Sequence, residues 1–350
     1  MGLDREQIVE LLNEKDPQVV SNLFAEAYRI KVETVGEEVY LRGLIEISNI
    51  CRKNCLYCGI RSDNSAVNRY QLTIDEVLDA AKFAIDAEYG SIVIQGGERH
   101  DKAFAKDIRR LIKKIKGLSK ENPLGITLSL GEQPLEVYED WFDAGAHRYL
   151  LRIETSDNQL YNMIHPSDPI HSFNSRVQAL LDLKYTGYQV GTGVMIGLPF
   201  QTAEHLADDL LFFREFDIDM CGMGPYIEHS QTPMWSLRDL LLPSEERLAL
   251  SLKMVALLRL MMPDINIAAT TAMQTLHPEG REMAIMAGAN VVMPNMTIQE
   301  VRKEYKLYEN KPGIEDDAAI SKSRLEHFLN EKNIPIGWNR WGDSLRFRNR

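Results

Sequence analysis

Eight short β-rich runs alternate with helical segments, and no other feature limits the fold of this chain as strongly. The runs are YLRGLIEIS (40–48), SIVIQ (91–95), GITLSL (125–130), RYLLRIE (148–154), YQVGTGVMIG (188–197), DMCGMG (219–224), INIAAT (265–270) and NVVMP (290–294). Each is apolar and bounded by Gly, Pro or a polar residue, as strands of a parallel sheet buried on both faces are. Helical patterns lie between them. A capping box, Thr73 and Glu76, precedes VLDAAKFAI. A helix over 173–186 ends at Gly187 in the C′ position, and further helices fit 202–216, 244–262 and 279–287. Eight alternations predict an α/β fold, a complete (βα)8 barrel of the TIM type, with an open doubly wound sheet as the alternative. No fixed-period repeat is present. Residues 1–38 read as an N-terminal helical segment packed on the barrel, 39–310 as the barrel and 311–350 as a C-terminal extension. The active site of such a barrel lies at the C-terminal ends of its strands.

Charge and thiol content narrow the chemistry. The net charge of −11 argues against a broad nucleic-acid surface. The start, MGLDREQIVELLNEKD, lacks an apolar signal region, Glu6 breaks a myristoylation pattern, and no window approaches a membrane span. A cytoplasmic protein with reduced thiols is expected, and clustered cysteines there read as metal ligands or catalysts.

Three of the four cysteines fall in CRKNCLYCGIR, residues 51–61, directly after the first strand and so at the barrel mouth. Structural zinc wants four ligands, and no second Cys or His pair accompanies Cys51, Cys55 and Cys58. A disulfide leaves an odd thiol in a reducing compartment. An iron–sulfur cubane held by three thiolates leaves one iron open to a small chelator. S-adenosylmethionine (SAM) offers an amino and a carboxylate group for that role, and a reduced cluster can break its C–S bond to release a 5′-deoxyadenosyl radical.

Cys-x3-Cys-x2-Cys with Tyr57 before the last cysteine resembles the signature of the radical SAM superfamily. Gly96-Gly97-Glu98 resembles the family's "GGE" motif, which holds the SAM amino group. Glu154 and Arg176 match positions that touch the SAM amino-acid moiety and ribose. VGTGVMIGLP, containing Met195, resembles its glycine-containing strand 5 motif. Longer runs are similar to the HydE family of [FeFe]-hydrogenase maturases over about residues 40 to 310: IEISNICRKNCLYCGIR, ITLSLGE, RYLLRIET, AATTAM and GREMAIMAGANVVMPN. Biotin synthase and methylornithine synthase are relatives with the same barrel.

That resemblance implies a [4Fe-4S] cluster and SAM, and a role in building the diiron subcluster of the hydrogenase. The implied substrate is a small anionic iron–cysteine complex. Partner maturases HydG and HydF, and a ferredoxin or flavodoxin as reductant, are implied with it. The inner positions that match the family's anion-binding cavity are Arg42, Ser129, Arg148, Arg152, Thr270, Thr271, Met293, Tyr305 and Tyr308. By the period of two, Arg148, Leu150, Arg152 and Glu154 share one strand face, and cations buried there need partners. The bland readings are outward arginines in surface ion pairs, Met293 as core filling, Tyr305 and Tyr308 as one face of an ordinary helix, and Cys221 as a small buried apolar residue. His165, His171, His229 and His277 show no ligand spacing, and surface or loop roles are expected for most of them.

Departures from the family pattern are also legible. No cysteine follows Cys221, so no second, C-terminal cluster is expected. Arg99 and His100 follow the GGE-like motif where many relatives carry an acid, and Ile153 stands where many have His. An amino-acid mutase related to methylornithine synthase and a non-catalytic iron–sulfur scaffold are the competing functions. A scaffold has no use for the GGE-like turn or the strand 5 motif.

Overall fold

The computed structural model describes residues 2–119, 121–313 and 318–350. The barrel strands are β1 (Tyr40–Ser48), β2 (Ser91–Gly96), β3 (Gly125–Ser129), β4 (Arg148–Leu150), β5 (Gln189–Thr192), β6 (Met220–Cys221), β7 (Asn266–Ala269) and β8 (Val291–Val292). All pair in parallel and close in the order β1-β8-β7-β6-β5-β4-β3-β2, so the doubly wound alternative is excluded. The capping box at Thr73 and Glu76 is formed. Gly187 ends the helix Phe173–Thr186 with φ +100°, a conformation that costs glycine little.

β4 and β5 end well before their sequence runs do, for one local reason. Past Leu150 the chain stays against β5, through Leu151 N–H to Gly191 O (2.9 Å) and Ile153 N–H to the Thr192 hydroxyl (3.0 Å). Glu154 then turns left-handed, with φ +68°, and bridges Val194. At Gly193 the two chains press so close that a Cβ would meet Gly222 O at 2.2 Å. The ladder resumes beyond as a separate pair, Met195–Ile196 with Gly224–Pro225, which extends the mouth.

The N-terminal helices Arg5–Asn13 and Pro17–Val35 lie on the helices Ala203–Phe216 and Ser244–Met261. The latter is covered on both sides and is therefore buried almost all round. Residues 337–344 pass beneath the barrel and seal its N-terminal end. Gly342 O accepts from Arg42 Nη2 (2.9 Å) and Asn266 Nδ2 (2.8 Å). Arg148 Nη1 donates to Trp341 O (2.9 Å) and to Asp343 (2.7 Å), and Gln189 donates to the same carboxylate (2.8 Å). Burial opposes the charge on Asp343, but His147 and Arg148 hold it well below the usual carboxylate range. Arg42 and Arg148, grouped from the sequence with the substrate-binding residues, thus belong to this floor. The period of two assigned Arg148 a face but not a depth, and Arg42 was placed by the resemblance alone.

Candidate functional site

The cysteine loop leaves β1 at Ser48 and folds across the mouth. Arg69 gathers its carbonyls, donating to Asn49 O (2.7 Å), Ile60 O (2.8 Å), Arg61 O (2.6 Å), Ser62 O (3.3 Å) and Asn64 O (3.1 Å). His171 Nε2 accepts from the backbone N–H of Asn54 (2.8 Å), while its Nδ1 lies 2.7 Å from Asp168. This geometry fixes the imidazole as its Nδ1–H tautomer. His165, His171 and His229 lie in loops and turns, as expected, but are buried and not at the surface. His165 stacks on Tyr161 with ring centroids 4.0 Å apart and meets Tyr57 edge-on at 5.4 Å. Burial pushes its pKa down to about 3, so it stays neutral and its free Nε2 accepts the Tyr57 hydroxyl at 3.4 Å. Leu56 and Tyr57 pack on a small apolar cluster that includes Leu160, Ile164, Met195 and Met234.

Cys55 is buried, and Cys51 and Cys58 are half-buried. Burial, then repulsion from Cys51, pushes the Cys55 thiol up to about 12; burial raises Cys51 and Cys58 as well. Three thiolates do not coexist there without added positive charge, which bound iron supplies. Among the described residues no three His, Cys, Asp or Glu side chains stand at the spacing of a single metal ion. The donor set therefore disagrees with zinc and fits a cluster, whose three thiolates each take a different iron.

The turn at residues 96–98 grips this loop. Gly97 N–H donates to Ser48 O (2.9 Å), Arg52 N–H to Glu98 O (2.9 Å), and Glu98 N–H points at Cys51 Sγ (3.4 Å). A Cβ on Gly97 would lie 2.3 Å from Ile50 O and 2.9 Å from Cys51 Cβ. Gly97→Ala is expected to displace the loop backbone and destabilise the protein by about 1–3 kcal/mol. Iron content after reconstitution and the thermal midpoint check this; normal iron loading would contradict it.

A buried ion network forms the adjoining wall. Lys53 Nζ reaches Glu132 (3.0 Å) and Glu98 (3.7 Å). Arg176 Nε donates to Glu132 (2.6 Å), and Arg176 Nη1 to Arg152 O (2.9 Å). Burial opposes the charge on Glu132, but Arg176 and Lys53 hold its carboxyl below the usual value; burial raises Glu98. Glu98 Oε1 is buried without a hydrogen-bond partner. Lys53 and Glu132 were not singled out from the sequence. Their signal was two acids, Glu98 and Glu132, following neighbouring strands beside a loop lysine.

Arg152 donates from Nε to Glu154 (3.0 Å), from Nη1 to Gly222 O (2.7 Å) and from Nη2 to Val194 O (2.9 Å). Glu154 is pinned through its own N–H to Gly193 O (3.0 Å) and by Met195 N–H to its carbonyl (3.0 Å). Its left-handed backbone is strain that the surroundings must hold. Beneath it, Asp209 accepts from Ser156 N–H and hydroxyl, both at 2.6 Å. Burial raises Asp209 to about 7. A raised carboxyl binds its proton more tightly when folded, so stability is greatest below the unfolded pKa and falls as pH rises toward 7. Asp209→Asn is expected to flatten that slope by about 2–3 kcal/mol between about pH 4.5 and 7.5, read by urea unfolding of the cluster-free chain. An unchanged slope would remove Asp209 as its source.

Thr271 and Tyr308 share a hydrogen bond (2.9 Å), Thr270 donates to Met223 O (3.3 Å), and Tyr305 accepts from Gln95 (3.3 Å), which pairs with Ser129 across β2 and β3. Lys311 pairs with buried Glu46 just outside. Met293, Cys221, Leu150 and Arg42 border a cavity of about 20 Å³ above the floor, room for one water. Arg99 pairs with Asp101 (2.8 Å), and His100 lies against Arg52 and Glu132 O, each at 2.5 Å, at the rim.

The chain matches the Radical SAM superfamily over residues 45–213. It is 46% identical over 310 residues to the [FeFe] hydrogenase maturase subunit HydE of Thermotoga maritima, covering 88% of this chain and 84% of that protein. It is 27% identical over 285 residues to the 3-methylornithine synthase of Methanosarcina barkeri, covering 81% and 76%. A crystal structure of methylornithine synthase superimposes with a TM-score of 0.81 at 23% identity, covering 97% of this chain and 95% of that one, which bears on the fold alone.

Proposed function

Since this chain belongs to the radical SAM superfamily, within the [FeFe]-hydrogenase maturase HydE family, we propose that it acts as a HydE-type maturase in assembly of the hydrogenase diiron subcluster. The observation that carries the reading is a loop bearing three thiols, clasped by the turn at Gly96–Glu98, with no ligand group for a single metal ion among the described residues. Members of the superfamily use a [4Fe-4S] cluster and SAM. When bound, the cluster supplies the electron that breaks the SAM C–S bond and releases a 5′-deoxyadenosyl radical.

The chain's own residues have distinct tasks in this reading. Cys51, Cys55 and Cys58 hold the iron. Glu98 presents backbone groups and a buried acceptor beside it, suited to an amino group. Arg176, oriented by Glu132, and Glu154, oriented by Arg152, face the amino-acid and ribose portions of SAM. Tyr57 and Met195 form the apolar side that keeps water from the reacting carbon. Deeper in, Ser129, Thr270, Thr271, Met293, Tyr305 and Tyr308 offer hydroxyl and thioether contacts to a small anionic, sulfur-containing substrate. Arg152 contributes the cation there, and Arg42 and Arg148 act on it only through the floor. A barrel sealed below takes substrate from the mouth, so delivery by partner maturases such as HydG and transfer to HydF occur at that face. No helix among the described residues is long and apolar enough to cross a membrane.

The test is anaerobic reconstitution with iron, sulfide, SAM and a strong reductant, followed by hydrogenase maturation in extracts lacking the maturase. Release of 5′-deoxyadenosine together with restored hydrogenase supports the proposal. Release without restoration redirects the enzyme to an amino-acid mutase. Tyr308→Phe, which deletes the hydroxyl bonded to Thr271, is expected to spare SAM cleavage and lower maturation about tenfold, the usual loss for one hydrogen bond. Unaltered maturation would take Tyr308 out of the substrate pocket.

A further inference from the structure

The helix Lys102–Lys116 carries seven basic residues, Lys102, Lys106, Arg109, Arg110, Lys113, Lys114 and Lys116, against one acid, Asp107, in a chain whose net charge is −11. Its inner face, Phe104, Ile108, Leu111, Ile112 and Ile115, is buried against the barrel. Lys102, Lys106, Arg110 and Lys114 recur every fourth residue on the opposite, exposed face. Like charges four apart on a helix repel, and a lysine in the first turn opposes the helix dipole. The stripe is thus maintained against local stability. Two short-range pairs offset it in part, Arg109 with Asp140 (2.7 Å) and Arg110 with Asp107 (3.3 Å). Lys106, Arg109, Arg110, Lys113 and Lys114 surround a shallow recess of about 390 Å³.

The stripe is continuous with the cysteine loop. Its N-cap, Asp101, follows the Glu98–His100 turn directly. Arg52, between Cys51 and Cys55, reaches His100 Nδ1 at 2.5 Å. Arg99 stacks over Phe104 of the helix at 4.9 Å. Arg52 and Arg99 thus link the loop to the start of the helix, with Glu98 and Asp101 between them.

We propose that this face is the docking surface for a small acidic one-electron carrier protein, the reductant that the proposed radical SAM activity requires. The inference rests on that functional reading. The carrier is oxidised by one electron and the iron site in the cysteine loop is reduced by one; no bond forms and no proton moves. The charge arrangement selects both partner and place. The acidic remainder of the surface repels an acidic carrier, and the basic stripe steers it to the helix whose first turn adjoins the loop.

The experiment uses reconstituted holoprotein, flavodoxin as the probe, and two variants of exposed residues: Lys106→Glu/Arg110→Glu/Lys113→Glu and the neutral Lys106→Gln/Arg110→Gln/Lys113→Gln. Flavodoxin binding is measured by calorimetry across a salt series, and 5′-deoxyadenosine formation is driven either by reduced flavodoxin or by a chemical reductant. The charge reversal is expected to weaken binding by about tenfold or more and to flatten its salt dependence, with the neutral variant between. Flavodoxin-driven turnover falls in step, while chemically driven turnover stays at the wild-type level, which also shows that the variants fold. Unchanged affinity in the reversed variant overturns the proposal, as does binding of anionic vesicles or RNA that flavodoxin does not displace. If chemically reduced wild type forms no 5′-deoxyadenosine, the functional reading fails instead, and the binding series still decides the surface.

Discussion

Cys51→Ala, Cys55→Ala and Cys58→Ala are each expected to reduce 5′-deoxyadenosine formation to the reagent background and to lower iron content, while Cys221→Ala retains both. The two outcomes differ for a physical reason. The loop thiols lie within electrostatic reach of one another: Cys51 raises the proton affinity of Cys55, and both raise that of Cys58, so they share one cationic partner or none. Cys221 lies on β6 beside the cavity above the floor, and burial pushes its thiol up to about 12 with no companion thiol near it. It acts as a small apolar side chain. Iron and acid-labile sulfide, read with the visible spectrum, decide the matter. Equal loss in all four variants would end the three-ligand assignment.

Glu132→Ala is expected to be the most damaging substitution that touches no cysteine. Arg176 and Lys53 are both buried and both converge on this carboxylate. Removing it leaves two cations in a dry wall, with only the Lys53–Glu98 contact at 3.7 Å and carbonyl acceptors in exchange. Breaking a buried pair in this way costs about 3–5 kcal/mol. Arg176 then loses its orientation, and SAM affinity falls about 10–100-fold, as when an outer partner of a ligand-binding residue is lost. Glu132→Gln keeps the shape and one acceptor and is expected to be milder on both counts. Thermal midpoint and the SAM dissociation constant are the readouts. An alanine variant as stable and as tight-binding as the parent would show that the network is ornamental.

The barrel was legible in the sequence because its signal is repetitive. Every run of eight contains a strand of the closed sheet, and the helix caps at Thr73 and Gly187 stand where turn chemistry puts them. The strand ends were not legible. They depend on Gly193 pressing against Gly222 and on Glu154 turning left-handed, and neither follows from hydrophobic pattern. The cysteine loop was visible as local spacing, whereas its wall was not. Lys53 is 79 residues from Glu132, and Arg176 is 44 beyond it. The buried histidines were missed for the same reason: His171 serves a backbone N–H 117 residues away, which no metal-ligand spacing reveals.

The floor has a consequence for the order in which the molecule assembles. Arg42 and Gly342 are 300 residues apart, and Arg148 and Asp343 are 195 apart. Contacts that span so much chain form slowly and late. The loop that carries the thiols is held across the mouth, by Arg69 from nearby and by Ile164, His171 and Leu307 from far along the chain, while the floor closes the tube against bulk water at its far end. A weakened floor would therefore announce itself as leakage. Asp343→Ala would let solvent and small anions wash through the interior, and a reactive carbon made at one end would be quenched from the other. The signature would be 5′-deoxyadenosine formed without matching product, in a protein whose thiols, iron and SAM site are intact.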